Sequence, residues 1–147
     1  MLYNLSSGSM LTVGDVWTTW RNVITRYSHT DPYMTAAIIQ TESNGDYTAK
    51  GPTNDYGLMQ ITPIVLKEFN VNQSHNYGID DLFRPEINIT IGSWYLERLV
   101  NHYKLNLYDA LRAYNAGVGN VRKSDTAGSE YARKILNIYS AYVGINA

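Results

Sequence analysis

The chain has 147 residues, 44% hydrophobic and 17% charged, a composition that suits one folded domain with its own core and excludes a disordered chain. A net charge of −1 is too small for nucleic acid or an anionic lipid surface to be held by charge. The absence of cysteine excludes disulfides, thiol catalysis and cysteine-held metals, and no apolar run reaches the roughly 18 residues that a membrane-spanning helix needs.

The opening "MLYNLSSGSMLTVGD" lacks a basic end followed by an apolar core, so no signal peptide is expected, and "SSGSM" reads equally as a short linker or as a cloning scar. Helical periodicity then runs through the chain. Val16, Trp20, Val23, Ile24 and Tyr27 share one face of a first helix with Asp15 near its start. Asp31 is the expected N-cap of a second helix, with Pro32 at its first position and its end near Glu42. Residues 43–60 carry Gly45, Gly51, Pro52, Asn54 and Gly57 and read as a loop or short hairpin. "TPIVLKEF" predicts a short helix. Pro85 opens a long one bearing Ile87, Ile91, Tyr95 and Leu99, and "NLYDALRAYNA" predicts another that stops at Gly117. Tyr131, Ile135, Tyr139 and Tyr142 mark the last, so the class is mainly α.

One residue is out of keeping with this pattern. Met34, Ile38 and Glu42 stand four apart in a row on the core side of the second helix. Burial raises a carboxyl's pKa, and so does the negative end of a helix dipole. A carboxyl kept protonated near neutral pH at the floor of a cleft is what a general acid toward a glycosidic oxygen requires. The bland alternative is a frayed helix end with Glu42 in solvent. Thirteen tyrosines and three tryptophans suit a sugar-binding cleft and ordinary half-buried positions alike.

From about Asp31 to Tyr139 the chain resembles the soluble lytic transglycosylase catalytic domain, related to goose-type lysozyme. The resemblance is carried by "ES" at Glu42-Ser43, "GLMQI" from Gly57, "RPEINITIGSWYL" with Pro85, Asn88, Gly92, Tyr95 and Leu96, "AYNAG" from Ala113, and the "YARKIL" helix from Tyr131. It implies a lysozyme-like single domain of about six or seven helices over residues 1–147, with a loop or small hairpin beside the cleft. Residues 1–28 would form an N-terminal helical extension and 29–147 the catalytic core. It implies Glu42 as the catalytic residue and Ser43, Met59, Gln60, Tyr114, Asn115 and Tyr131 as substrate-binding. Read on their own chemistry, Gln60 is equally a satisfied loop amide, Asn115 a cap of its own helix and Tyr131 a core residue. Asn88 is expected to tie the chain down inside the fold.

The resemblance further implies cleavage of the β-1,4 bond between N-acetylmuramic acid and N-acetylglucosamine with formation of 1,6-anhydromuramic acid ends, Glu42 acting as acid and then base. No cofactor and no metal are implied, and His29, His75 and His102 have no ligand spacing. The expected partner is a peptidoglycan glycan strand met by a monomer, without nucleic acid or membrane insertion. The setting is the cell wall, periplasm or exterior, including a phage particle or secretion machine. Two readings compete: a hydrolytic muramidase using Asp55 or Asp46 to activate water, and a non-catalytic glycan-binding domain. The chain also departs from the family pattern. Gly51 stands where a serine is frequent, so that either Ser43 or Thr53 takes its role or the role is missing, Asp55 stands where alanine is frequent, and Thr62 replaces a methionine.

Overall fold

The computed structural model describes residues 13–146. The expectations for the opening stretch and the first part of the N-terminal extension, residues 1–12, lie outside the described residues, as does residue 147. Seven α-helices follow in order: α1 Val13–Tyr27, α2 Pro32–Ser43, α3 Pro63–Gln73, α4 Pro85–Asn101, α5 Leu107–Ala116, α6 Val118–Lys123 and α7 Ser129–Asn146. A 3-10 turn, Ile79–Phe83, precedes α4. Among the described residues there is no strand, only isolated antiparallel bridges pairing Lys50 with Tyr56 and Tyr56 with Ile61. The mainly α class expected from periodicity is the one observed.

Local chemistry sets the helix starts. The Asp31 carboxylate accepts from Tyr33 N at 2.9 Å and Asn106 Oδ1 accepts from Asp109 N at 2.8 Å, while Pro32, Pro63 and Pro85 occupy first-turn positions that need no N–H. Two elements have no counterpart in the sequence reading, the 3-10 turn and α6. With five and six residues they are too short for an apolar stripe to declare itself. The helix expected at "TPIVLKEF" runs on to Gln73, and beyond it Asn70 exchanges hydrogen bonds with the backbone of Tyr77.

The core is built around α2. Every residue from Met34 to Ser43 is buried, so this helix is enclosed on all sides and has no solvent face. It packs against α1 and α7, and α5 lies against α4 and α7. The C-terminal end of α2, the loop at 44–62 and the inner faces of α5 and α7 therefore converge. No helix among the described residues is long and apolar enough to cross a membrane.

Candidate active site

Glu42 is the penultimate residue of α2 and only 4% exposed. Its Oε2 accepts a hydrogen bond from the Tyr131 hydroxyl on α7 at 2.8 Å, and its Oε1 has no partner among the described residues. Burial lifts its pKa well above the usual carboxylate range. The Tyr131 hydrogen bond works against that, and the negative charge of Asp55 adds to it. The end of α2 is pinned beside it. The Ser43 hydroxyl donates to Leu58 O at 2.7 Å, and Asn44, in the left-handed region at φ 55°, gives its N–H to Gln40 O.

The loop from Asn44 to Thr62 is held to α4 by one side chain. Asn88 accepts from Met59 N at 2.8 Å and donates to Tyr56 O at 2.9 Å and Leu82 O at 2.8 Å. Gly57 makes that approach possible. Its φ is +76°, and a Cβ there would collide with the Asn88 amide and the Leu82 carbonyl. Met59 is fully buried against Gly92 of α4, where a Cβ would stand 2.5 Å from the methionine Sδ. Gln60 is buried, and its amide donates to Gly57 O at 3.1 Å and Ala49 O at 3.3 Å, which commits both N–H groups to the loop and leaves Oε1 facing Gly51.

Two tyrosines stack behind the carboxylate. Tyr114 and Tyr131 lie 6.3 Å apart with rings 7° from parallel. The Tyr114 hydroxyl donates to Met59 O at 2.8 Å and not to Glu42, so of the two phenols it is Tyr131 that holds the acid. Both phenols are pushed above their usual range by burial and are neutral at working pH.

Asn115 is half-buried and stands where three concavities meet. The largest, about 460 Å³, runs between Thr53 of the loop and Asn115, Asn120 and Lys123. A second, about 310 Å³, reaches Ser129 and Tyr131, and a third, about 230 Å³, reaches Thr62, Tyr95 and Tyr114. Their polar rims offer donors and acceptors suited to sugar hydroxyls and amides. A separate concavity of about 380 Å³ lies on α3 around Leu66, Lys67, Asn70 and His75, without an acidic residue.

The two candidate second carboxyls part company. Asp46 is exposed and accepts from Thr48 N at 2.9 Å and the Thr48 hydroxyl at 2.6 Å, as a turn residue does. Asp55 is buried within the loop. Among the described residues no group of His, Asp and Glu side chains could hold a metal ion. The resemblance placed Tyr131 in the cleft near Glu42, but the sequence reading missed its hydroxyl as the carboxyl's hydrogen-bond donor, and it missed that the Asp55 carboxyl fills the space a Cβ at Gly51 would take.

Residues 20–137 match the family model described as the transglycosylase SLT domain. Among curated relatives, membrane-bound lytic murein transglycosylase F of Desulfosudis oleivorans is 37% identical over 98 residues, covering 63% of this chain and 20% of the relative. The soluble lytic murein transglycosylase of Salmonella typhimurium is 38% identical over 90 residues, covering 58% of this chain and 14% of the relative. The chain thus spans about a fifth or less of these two proteins. Among solved structures, the 70-kDa soluble lytic transglycosylase in complex with bulgecin A superposes with a TM-score of 0.79 at 24% identity, covering 90% of this chain and 25% of that one. An inactive glutamate-to-glutamine mutant of lytic transglycosylase Slt from Pseudomonas aeruginosa gives 0.76 at 25% identity, covering 86% and 24%.

Proposed function

The chain belongs to the transglycosylase SLT domain family, and from that membership we propose that it is a peptidoglycan lytic transglycosylase with Glu42 as its acid and base. The observation that carries this reading is the enclosed Glu42 carboxyl, lifted in pKa by burial and held on one oxygen by Tyr131. In the proposed reaction the protonated Glu42 gives its proton to the oxygen leaving C1 of the N-acetylmuramyl residue as the C1–O bond breaks. The neighbouring 2-acetamido group stabilises the oxocarbenium-like centre. The Glu42 carboxylate then takes the proton of the muramyl C6 hydroxyl as O6 bonds to C1, closing the 1,6-anhydro ring. One proton moves from O6 to the leaving oxygen, and water takes no part. The nucleophile is held within the substrate, so its effective concentration exceeds that of water in an enclosed site.

The glycan strand is assigned to the groove around Asn115, which runs from the loop to the start of α7. Ser43, Met59, Gln60 and Tyr114 are buried, and each has a polar group committed to the fold, so in this reading they build the wall of the site and fix its shape. Tyr131 acts through Glu42. The hydrolytic alternative needs a base that reaches water. Asp55 has no exposed surface and Asp46 is spent on a turn, so the intramolecular route is preferred. The proposed site of action is the murein of the cell wall, a reading supported by the word murein in the relatives' names.

The test is digestion of purified peptidoglycan in oxygen-18 water followed by mass analysis. Fragments ending in 1,6-anhydromuramic acid without label are expected. Labelled reducing ends would make the chain a hydrolase, and no fragments would make it a glycan-binding domain.

A further inference from the structure

The turn between α6 and α7 forms one wall of the groove around Asn115. Ser124, Ala127 and Gly128 line its larger part, and Thr126, Gly128 and Ser129 line the smaller. Asn115 belongs to both parts and is the penultimate residue of α5, so the groove lies between a helix end and a turn. The turn's own hydrogen bonds are local. Thr126 N and Ala127 N each donate to the Ser124 hydroxyl at 3.2 Å, and Ser129 N donates to Thr126 O at 3.0 Å. None of these bonds reaches α5.

Arg112 ties the turn to α5, on the helical turn before Asn115. It is 5% exposed. Its Nε donates to Ala127 O at 2.8 Å, and a terminal nitrogen donates to Ser124 O. The other terminal nitrogen donates to Asp109 Oδ1 at 2.9 Å, which balances the buried charge and aims the fork. The Arg112 backbone makes a second hold. Gly128, at φ +72°, comes so close that a Cβ there would lie 2.5 Å from Arg112 O. One residue thus grips Ser124, Ala127 and Gly128, the same three that face the larger part of the groove.

We propose that Arg112 is a positioning residue for the glycan strand: it fixes the spacing between Asn115 and the turn at 124–129, and so sets the width of the groove before the strand arrives. This rests on the assignment of the strand to that groove. A guanidinium suits the task, because its planar donors meet two carbonyls and a carboxylate in fixed directions, whereas an ammonium is a point charge on a flexible stem. A wall fixed in advance spares the strand the cost of ordering it. No sugar contact is required of Arg112, in keeping with its enclosure. Its effect falls on binding and not on the Glu42 proton, because Tyr131 is held by its own stack on Tyr114 and by its bond to Glu42.

The test is calorimetric binding of peptide-free glycan strands in the Glu42→Gln background, where the acid is gone. Arg112→Lys should weaken binding by about 10-fold or more, at a temperature where circular dichroism shows the helices intact. With Glu42 restored, Arg112→Lys should raise KM on peptidoglycan, keep kcat within about threefold and leave the upper-pH limb of activity in place. Unchanged affinity in a folded variant, a loss confined to kcat, or a moved pH limb would overturn the proposal. If Arg112→Lys fails to fold, Asp109→Asn keeps the arginine and removes its partner; binding should weaken by about threefold, and equal affinity would overturn the proposal. A parent that binds no strand would overturn it as well. Should the wild type release no fragments, or only labelled reducing ends, the activity reading fails on its own, and the affinities still decide whether Arg112 shapes the groove.

Discussion

The two oxygens of Glu42 keep different company. Oε2 accepts the Tyr131 hydroxyl and Oε1 accepts nothing among the described residues, so Oε1 is the natural seat of the transferable proton. Glu42→Gln preserves size and the hydrogen bond but has no proton to give. Activity on peptidoglycan should fall by about 100-fold or more, measured as release of soluble muropeptides. Tyr131→Phe removes the bond that favours the ionised form. The upper-pH limb should then move to higher pH, and turnover should fall by about 10-fold or more, as for loss of a hydrogen bond to a charged group. Steady-state rates across pH decide both. The place of Glu42 was legible in the sequence, because Met34, Ile38 and Glu42 share a helical row and a carboxylate closing an apolar row needs a reason. Its hydrogen-bond partner was not legible from the residues themselves; only the family resemblance set Tyr131 near Glu42. Tyr131 and Ile135 share a helical face, and that periodicity says only that the phenol points inward; contact with a residue 89 positions away is a property of the packed fold.

At the level of elements, the site depends on how the loop after α2 is fastened. Asn88 of α4 satisfies two backbone groups of that loop, Met59 N and Tyr56 O, and the Leu82 carbonyl of the 3-10 turn, while the Tyr114 hydroxyl of α5 satisfies a third loop group, Met59 O. Asn88→Ala leaves buried donors and acceptors unpaired and should cost ~2–4 kcal/mol in denaturant unfolding. Tyr114→Phe strands one carbonyl and should cost ~1–2 kcal/mol, with the pH profile of activity keeping its shape, because the Glu42 contact belongs to Tyr131. An unchanged unfolding midpoint for either variant would mean that the loop is held by other means. The long helices were readable from caps, prolines and apolar spacing. The short α6 and the 3-10 turn were not, since their placement follows from packing. Arg112 illustrates this. It is buried, pairs with Asp109 at 2.9 Å, and donates to the carbonyls of Ala127, at 2.8 Å, and Ser124, so it clamps the turn from which α7 departs. In the sequence it is one basic residue inside "LRAYNAG".

For the whole molecule, the raised pKa of Glu42 makes stability depend on pH in a direction unusual for a carboxylate. The folded state holds this proton more tightly than the unfolded chain, where the usual value is 4.5. Between that value and the raised one the folded state binds more protons, so stability falls as pH rises. Glu42→Gln removes this term. Its melting temperature relative to wild type should improve from acid toward neutral pH, and a constant difference across that range would deny the shift. The bond between Tyr131 and Glu42 also ties two remote parts of the chain, and its consequence is one of timing. The acid is synthesised 89 residues before the phenol that holds it. Until α7 docks on α2, the Glu42 carboxyl lacks both the phenol and the cover that α7 provides, and its pKa is expected nearer that of an exposed glutamate. Such a chain has no proton to deliver at neutral pH, whatever its affinity for glycan. Competence at Glu42 is therefore expected only once α7 has docked, so that an unfinished chain is idle through its own incompleteness.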